Sequence, residues 1–302
     1  MYRGRFAPSP TGPLHFGSLV AALASFADAR ANRGEWLLRI EDVDVPRARR
    51  DSEADIVATL ARYGFAFDGP LERQSVRTPL YAAALDTLVA ADLAYPCACS
   101  RRDLETAPIG PGGERVYPGT CSTGVPATAT SRRERAWRVR AGAARVEFVD
   151  QLQGPQAQDL ARDVGDFVVR RADGLFAYQL AVVVDDAAQQ VTHVVRGADL
   201  LSSTPRQIHL QRLLGLPQVS YLHVPVALDA AGEKLSKQTE ATALPRDPLP
   251  ALVAAWRFLD QPPPAAPLRT VDDFWSHALR AWTPRRLPPL AMLPAPPVVA
   301  GV

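Results

Sequence analysis

Lysine is almost absent from this chain: Lys234 and Lys237 are the only two among 302 residues, and arginine supplies every other basic side chain. Both lysines lie in one stretch, KLSKQ, which follows Ala231 and Gly232. A planar guanidinium does not reproduce the compact, mobile ammonium of lysine. The use of lysine at these two positions therefore indicates that the ammonium group itself is needed there. A phosphate-binding loop would need such a group. For an isolated pair at this spacing, a solvated surface turn is the competing interpretation.

Long apolar runs and a strong net charge are also missing. No apolar stretch reaches membrane-spanning length and no apolar segment follows the first residues, so we expect a cytoplasmic protein without a membrane anchor or secretion signal. A net charge of only +2 excludes a globally basic nucleic-acid-binding chain. Any RNA contact would need a local patch, such as the alternating arginines within 132–140, which are otherwise a solvated face.

Cysteine is scarce, and its three copies are an odd number, which excludes a fully paired disulfide framework. Cys97, Cys99 and Cys121 are close enough in sequence to offer three thiolates to one metal ion. The chain has no histidine between residues 16 and 192, so a fourth ligand near the cysteines cannot be a histidine of that segment. Three free thiols are the alternative.

The first 44 residues alternate between strand and helix patterns. A short strand ends at residues 5–7, prolines and glycines forbid regular structure over 8–13, and apolar residues recur at helical spacing over 17–33. A buried strand over 36–40 then ends in the acidic cluster 41–44. This order predicts a βαβ unit and therefore a parallel sheet.

The rest of the chain predicts a mixed α/β protein with a change of character near residue 95. Helices are predicted over 47–63, 77–94, 200–214, 249–259 and 271–281. Strands are predicted over 137–139, 146–149, 167–170, 176–184, 191–195 and 222–227.

The start of the first predicted helix is a candidate phosphate site. A helix that follows a Pro/Gly loop presents unpaired N–H groups and the positive end of its dipole. His15 can donate a hydrogen bond to a phosphoryl oxygen, and Gly12 and Gly17 permit close approach of backbone or nucleotide. A structural histidine beside packing glycines is the competing interpretation.

Four motifs occur in order along residues 3–238. They are RFAPSPTGPLHFGS at 5–18, LRIED at 38–42, VRGADLL at 195–201 and KLSKQ at 234–238. Together they resemble the class I aminoacyl-tRNA synthetases of the glutamyl and glutaminyl subgroup, in which the first is the HIGH-type motif and the last the KMSKS-type loop. Ser18 replaces the second histidine of the first motif.

This resemblance implies an α/β, Rossmann-like catalytic domain with a zinc-bearing insertion and a small, mainly helical C-terminal region. The expected divisions are 1–94 and 166–240 for the two catalytic halves, 95–165 for the insertion and 241–302 for the Pro-rich region. The chain ends too soon after Lys237 for the usual anticodon-binding modules. It is therefore most similar to shortened ligases that activate L-glutamate with ATP, without tRNA, and esterify it to the queuosine base of tRNA(Asp). We expect a monomer with no membrane partner.

Three other functions remain open at this point. A glutamyl-tRNA synthetase core that charges the tRNA 3′ end would share every motif. A small-molecule nucleotidylyltransferase would explain the ATP motifs but not the cysteine-bearing insertion. A non-catalytic paralogue that binds RNA or an amino acid would have no need for His15 and both lysines.

The resemblance also implies roles for individual residues. The catalytic group would be His15, Lys234 and Lys237. ATP, with Mg²⁺, would contact Pro8, Gly12, His15, Gly17, Ser18 and Lys237. L-Glutamate would contact Arg5, Phe6, Ala7, Pro8, Ser9, Glu41, Tyr178 and Arg196. One structural Zn²⁺ would be held by Cys97, Cys99, Tyr117 and Cys121. In the glutamate pocket, the guanidinium groups suit carboxylates and Glu41 suits the ammonium.

Overall fold

Two parallel sheets form the centre of the fold. The computed structural model describes residues 1–44, 50–126, 134–229, 231–235 and 242–296. In the first sheet, β1 (Arg3–Phe6), β2 (Glu35–Ile40) and β3 (Glu72–Arg73) pair in parallel in that order. In the second sheet, β9 (His193–Gly197) and β10 (Ser220–Val224) are parallel neighbours. The parallel sheet predicted from the opening βαβ pattern is therefore confirmed.

Helix α1 (Phe16–Ala31) connects β1 to β2 and is buried on most of its surface. Its alanine- and leucine-rich sequence favours a helix and allows close packing. The sheets contact one side of α1, while α7 (Pro248–Phe258) and α8 (Val271–Ala281) contact another. Both C-terminal helices were predicted, and they share one hydrophobic cluster with α1.

Five further α-helices occur in the described part of the chain. They are α2 (Arg50–Arg62), α3 (Thr78–Ala90), the single turn α4 (Leu160–Asp163), α5 (Tyr178–Ala188) and α6 (Thr204–Leu213). The predicted strand over 176–184 is wrong, because most of that segment belongs to α5. None of the helices in the described part of the chain is long and apolar enough to cross a membrane.

The middle of the chain adds antiparallel structure. One sheet contains β4 (Ala94–Cys97), β5 (Ala136–Val139) and β8 (Phe167–Arg170). Strands β6 (Arg145–Asp150) and β7 (Gly154–Asp159) form a hairpin, and β11 (Val226–Leu228) pairs in parallel with β12 (Met292–Pro294). Apolar residues of β6 share a hydrophobic cluster with residues of β9 and β10, so the hairpin packs directly on the second parallel sheet.

Candidate active site

A cavity of about 950 Å³ opens between the end of β1, the start of α1 and the ends of β9 and β10. Among the described residues predicted to contact ATP or glutamate, all except Gly12 line this cavity. Gly12 is buried nearby. Lys237 and the rest of 236–241 lie outside the described residues. Ligand sites of parallel α/β sheets lie at the carboxyl ends of the strands, as this cavity does.

His15 forms the N-terminal cap of α1. Its Nδ1 accepts the N–H of Ser18 at 3.4 Å, so a neutral His15 carries its proton on Nε2 and can donate it. A Cβ at Gly17 would lie 3.1 Å from the His15 ring and 3.6 Å from the carbonyl oxygen of Leu235. Glycine here lets the ring lie across the helix start and lets the lysine stretch approach it.

Lys234 and Leu235, the described residues of the lysine stretch, both line the cavity. The N–H of Leu235 donates to the carbonyl of Ala227 at 2.9 Å, which ties Leu235 to β11. Lys234 reaches back to form an ion pair with Asp199, and both side chains line the cavity. The structure therefore brings the first and last motifs together, although they are more than 200 residues apart in the sequence.

A buried network of charges lies beneath the glutamate pocket. Arg5 donates to Asp186 at 3.2 Å, and Arg39, which is fully buried, contacts Asp186 at 2.8 Å and Glu41 at 3.4 Å. Burial raises the pKa of Asp186, but the two guanidinium groups outweigh it and hold that pKa below its usual range. Burial also raises the pKa of Glu41, and there the same arginines only partly oppose it.

Arg196 lies on β9 with a different set of partners. Its Nη1 donates to the Tyr178 hydroxyl at 3.2 Å, and its Nε donates to Nε2 of His223 at 3.0 Å. The opposite ring nitrogen of His223, Nδ1, lies 2.6 Å from Oδ2 of Asp150. Tyr178, the first residue of α5, therefore lies against the guanidinium as a polar wall.

The three cysteines form a cluster of their own and do not line the cavity. Their Sγ atoms all lie within 4.8 Å of one another. The Tyr117 hydroxyl lies 3.3 Å from Sγ of Cys97 and 3.6 Å from Sγ of Cys99, and it accepts the N–H of Cys121 at 2.9 Å. Three thiols and one phenol oxygen at these separations could hold a metal ion.

Two neighbouring residues position this cluster. A Cβ at Gly165, whose φ is +70°, would lie 2.4 Å from the carbonyl oxygen of Tyr117, so only glycine permits this contact. The Arg138 guanidinium lies 3.8 Å from the centre of the Tyr117 ring and donates to Sγ of Cys97 at 3.3 Å. Arg138 is 7% exposed, so it does not belong to a solvated arginine face. Arg132 and Arg133 lie outside the described residues.

Comparison with known proteins supports the motif resemblance. A family model described as tRNA synthetases class I (E and Q), catalytic domain, matches residues 1–248. A glutamyl-Q tRNA(Asp) synthetase of Dechloromonas aromatica is 56% identical over 300 residues, which cover 97% of this chain and 99% of that protein. One of Aromatoleum aromaticum is 55% identical over 294 residues, which cover 95% and 91%. The chain belongs to the glutamyl-Q tRNA(Asp) synthetase family.

Membership of the glutamyl-Q tRNA(Asp) synthetase family makes this chain a ligase with a class I synthetase catalytic domain, as the four motifs predicted. The crystal structure of a glutamate tRNA ligase from Elizabethkingia meningosepticum matches the fold with a TM-score of 0.78. The match covers 99% of this chain and 68% of that one at 22% identity, so the likeness concerns the fold.

Several groups in or beneath the cavity of this member of the glutamyl-Q tRNA(Asp) synthetase family were missed by sequence reasoning. Asp199 belongs to the third motif but was given no role, and the structure pairs it with Lys234. Asp186 follows an apolar run that was predicted as a strand, and Asp150 and His223 carry no motif of their own. Only the folded chain brings Asp186 to Arg5 and His223 to Arg196, with Asp150 bonded to His223 from behind.

Proposed function

We propose that this protein activates L-glutamate with ATP, without tRNA, and transfers it to the queuosine base in the anticodon of tRNA(Asp). Relatives 55–56% identical over nearly the whole chain carry the name of that activity. The observation that carries the proposal is the cavity, where a capped helix start and a lysine face two arginines and Glu41. Phosphate chemistry and amino-acid binding would occur in one site.

In the first step, the α-carboxylate of glutamate attacks the α-phosphorus of ATP. A carboxyl oxygen–phosphorus bond forms, the bond from the α-phosphorus to the bridging oxygen breaks, and pyrophosphate leaves. No protein nucleophile is needed, because positioning and electrostatic stabilisation supply the rate enhancement. The start of α1, Nε2–H of His15, Lys234 and Lys237 would stabilise the phosphoryl oxygens. Mg²⁺ would neutralise phosphate charge, held mainly by the phosphates and water.

The amino acid would bind beside the phosphates. Arg5 and Arg196 would take its two carboxylates, and Glu41 would hold its ammonium. Burial raises the pKa of Glu41, and the bound ammonium would favour the ionised carboxylate again. Ala7 and Ser9 would contribute backbone and hydroxyl contacts.

In the second step, a hydroxyl of queuosine attacks the carbonyl carbon of the glutamyl-adenylate. The new ester bond forms as the bond between the carbonyl carbon and the phosphate oxygen breaks, AMP leaves, and the hydroxyl proton passes to the phosphate of AMP or to water. A tRNA substrate implies a cytoplasmic location. The protein is proposed to act as a monomer.

The cysteine cluster is proposed to hold one structural Zn²⁺. Cys97, Cys99 and Cys121 would supply thiolates, and the Tyr117 oxygen would be the fourth ligand. The donor set fits, because zinc accepts sulfur and oxygen ligands in tetrahedral sites and the four donor atoms already converge. Arg138 would offset part of the negative charge of such a site. Because none of these four residues lines the cavity, the metal would stabilise the insertion instead of taking part in catalysis.

ATP–pyrophosphate exchange without tRNA tests the activation step. We expect exchange that depends on L-glutamate. We also expect Arg196→Ala to lower kcat/KM for glutamate, with a loss of transition-state stabilisation of about 2–3 kcal/mol. Arg145→Ala, which removes an exposed arginine of β6, is the matched control and should be unchanged. Absence of exchange in the wild-type protein would favour a non-catalytic paralogue, and unchanged kinetics in Arg196→Ala would remove Arg196 from the pocket.

A further inference from the structure

The two cavity arginines differ in how their charge is balanced. Arg5 forms a direct ion pair with Asp186 at 3.2 Å. Within the described part of the chain, Arg196 has no carboxylate in ion-pairing distance, although it is 5% exposed. Its hydrogen-bond partners are all uncharged: the side chains of Tyr178, Thr204, Gln207 and His223 and the carbonyl of Leu200. The guanidinium of Arg196 is therefore fixed by hydrogen bonds, but no carboxylate neutralises its charge.

The hydrogen bonds assign the tautomer of His223. Arginine Nε always carries a hydrogen and can only donate, so Nε2 of His223, 3.0 Å away, must accept. The ring proton then lies on Nδ1 and is donated to Oδ2 of Asp150 at 2.6 Å. Both His223 and Asp150 are at most 1% exposed, so water does not replace either contact.

Asp150 is itself fixed by the backbone. Its Oδ1 accepts the N–H groups of Leu152, Gln153 and His223 at 3.0, 2.8 and 3.2 Å. These donors orient the carboxylate so that Oδ2 points at the imidazole. The last residue of β6 thus reaches across to β10, and through His223 to β9.

We infer that Asp150 and His223 are positioning residues of the amino-acid pocket, where Asp150 fixes the tautomer of His223 and His223 aims Arg196 at a substrate carboxylate without neutralising it. This inference rests on the proposed function, because it takes glutamate as the ligand of Arg196. A carboxylate in direct contact with the guanidinium would compete with the substrate for its N–H groups. A neutral imidazole accepts one hydrogen bond and leaves the charge available.

Burial and charge keep His223 neutral, in agreement with this arrangement. Burial lowers the pKa of His223 to about 4, with the nearby Arg196 charge acting in the same direction and the Asp150 hydrogen bond opposing it. The Thr204 hydroxyl also lies 3.2 Å from Nε2 of His223, and a protonated ring could donate to it but could no longer accept the Nε–H of Arg196.

Asp150→Asn tests the inference. The three N–H groups that face Oδ1 require an oxygen there, so the asparagine NH₂ must face Nδ1 of His223. The ring must then accept at Nδ1 and carry its hydrogen on Nε2, against Arg196. We expect KM for glutamate in ATP–pyrophosphate exchange to rise at least tenfold, with KM for ATP within twofold of wild type. His209→Gln is the matched control, a buried histidine bonded to the Arg140 carbonyl outside the cavity, and should change neither KM.

A second variant and a spectroscopic measurement distinguish a loss of positioning from misfolding of the Asp150→Asn variant. His223→Asn has an amide that can reach Asp150 but is too short to reach Arg196, so it should show the same KM split. Nitrogen-15 NMR of the five histidines in the substrate-free wild-type protein should show His223 as the neutral Nδ1–H form. An Nε2–H form, unchanged glutamate KM in both variants, or equal increases in both KM values would overturn the inference. Wild-type protein without glutamate-dependent exchange would instead overturn the proposed function.

Discussion

At the residue scale, His223 links the chemistry of the cavity to the pH dependence of folding. In the unfolded chain His223 has its ordinary pKa near 6.5, whereas in the folded protein burial lowers the pKa of His223 to about 4. Between these values the unfolded state binds a proton that the folded state does not, so acid favours unfolding. Burial also lowers the pKa values of His193 and His209, which adds to the effect in the same direction.

The free energy of unfolding should therefore fall as the pH is lowered from about 6.5 to about 4, with His223 contributing about 3 kcal/mol across the whole interval. Urea unfolding at pH 7 and pH 4.5 measures the change. His223→Asn should show a weaker pH dependence than wild type, because it lacks the titrating group. Equal stability of the wild-type protein at both pH values would contradict this account of His223.

Sequence motifs predicted most of the residues around the cavity but not the groups that hold them. His15, Arg196 and Lys234 belong to local patterns whose residue types suit phosphate or carboxylate binding. Asp150 and His223 are 73 positions apart and form their contact only in the fold. A side chain whose role is to orient another one leaves no local pattern in the sequence.

At the element scale, α5 shows why a short apolar run is ambiguous. Val182, Val183 and Val184 favour a strand by propensity, yet they lie in the helix Tyr178–Ala188. Tertiary contacts decide the outcome, because one face of the helix is buried and its last turns carry Asp185 and Asp186, which both pair with the buried Arg39. Strand β7 was missed for the opposite reason, since its sequence GPQAQD has no apolar alternation. Helix α8, with its clear periodicity, was predicted with the same bounds, and α1, which lies between a Pro/Gly loop and Gly34, was predicted to within two residues.

The cysteine cluster provides the next test at the element scale. We expect purified protein to contain one zinc per chain by elemental analysis, and Tyr117→Phe to lower zinc affinity by at least tenfold, because it removes one donor atom while keeping the ring under Arg138. Tyr95→Phe is the matched control and should keep wild-type zinc affinity. Tyr95 packs in the same hydrophobic cluster as the cysteines, but its hydroxyl donates to Asp166 and not to the thiols. Wild-type zinc affinity in Tyr117→Phe would exclude the phenol oxygen as a ligand.

At the scale of the whole molecule, the C-terminal helices complete the core around α1. Trp282, just after α8, is 7% exposed, and its Nε1–H donates to Asp28 of α1 at 2.9 Å. Trp275 on α8 packs edge-on against Phe26 of α1 and Phe65. Residues more than 200 positions apart therefore depend on one another for burial.

Trp282→Ala should lower the free energy of unfolding by about 3–5 kcal/mol, because it creates a cavity and leaves Asp28 without one of its donors. Urea unfolding followed by both fluorescence and circular dichroism measures this loss. Trp282→Phe should cost less, since it keeps most of the buried ring. A change below about 1 kcal/mol in Trp282→Ala would show that the C-terminal region does not stabilise α1.

The transfer of glutamate to queuosine is the central claim, and the position of the label on tRNA tests it most directly. The protein would be incubated with ATP, Mg²⁺, radiolabelled L-glutamate and matched tRNA(Asp) samples that contain or lack queuosine. We predict label only on queuosine-containing tRNA, in the anticodon loop and away from the 3′ end. Label at the 3′ terminus, independent of queuosine, would contradict the proposal and identify a glutamyl-tRNA synthetase activity instead.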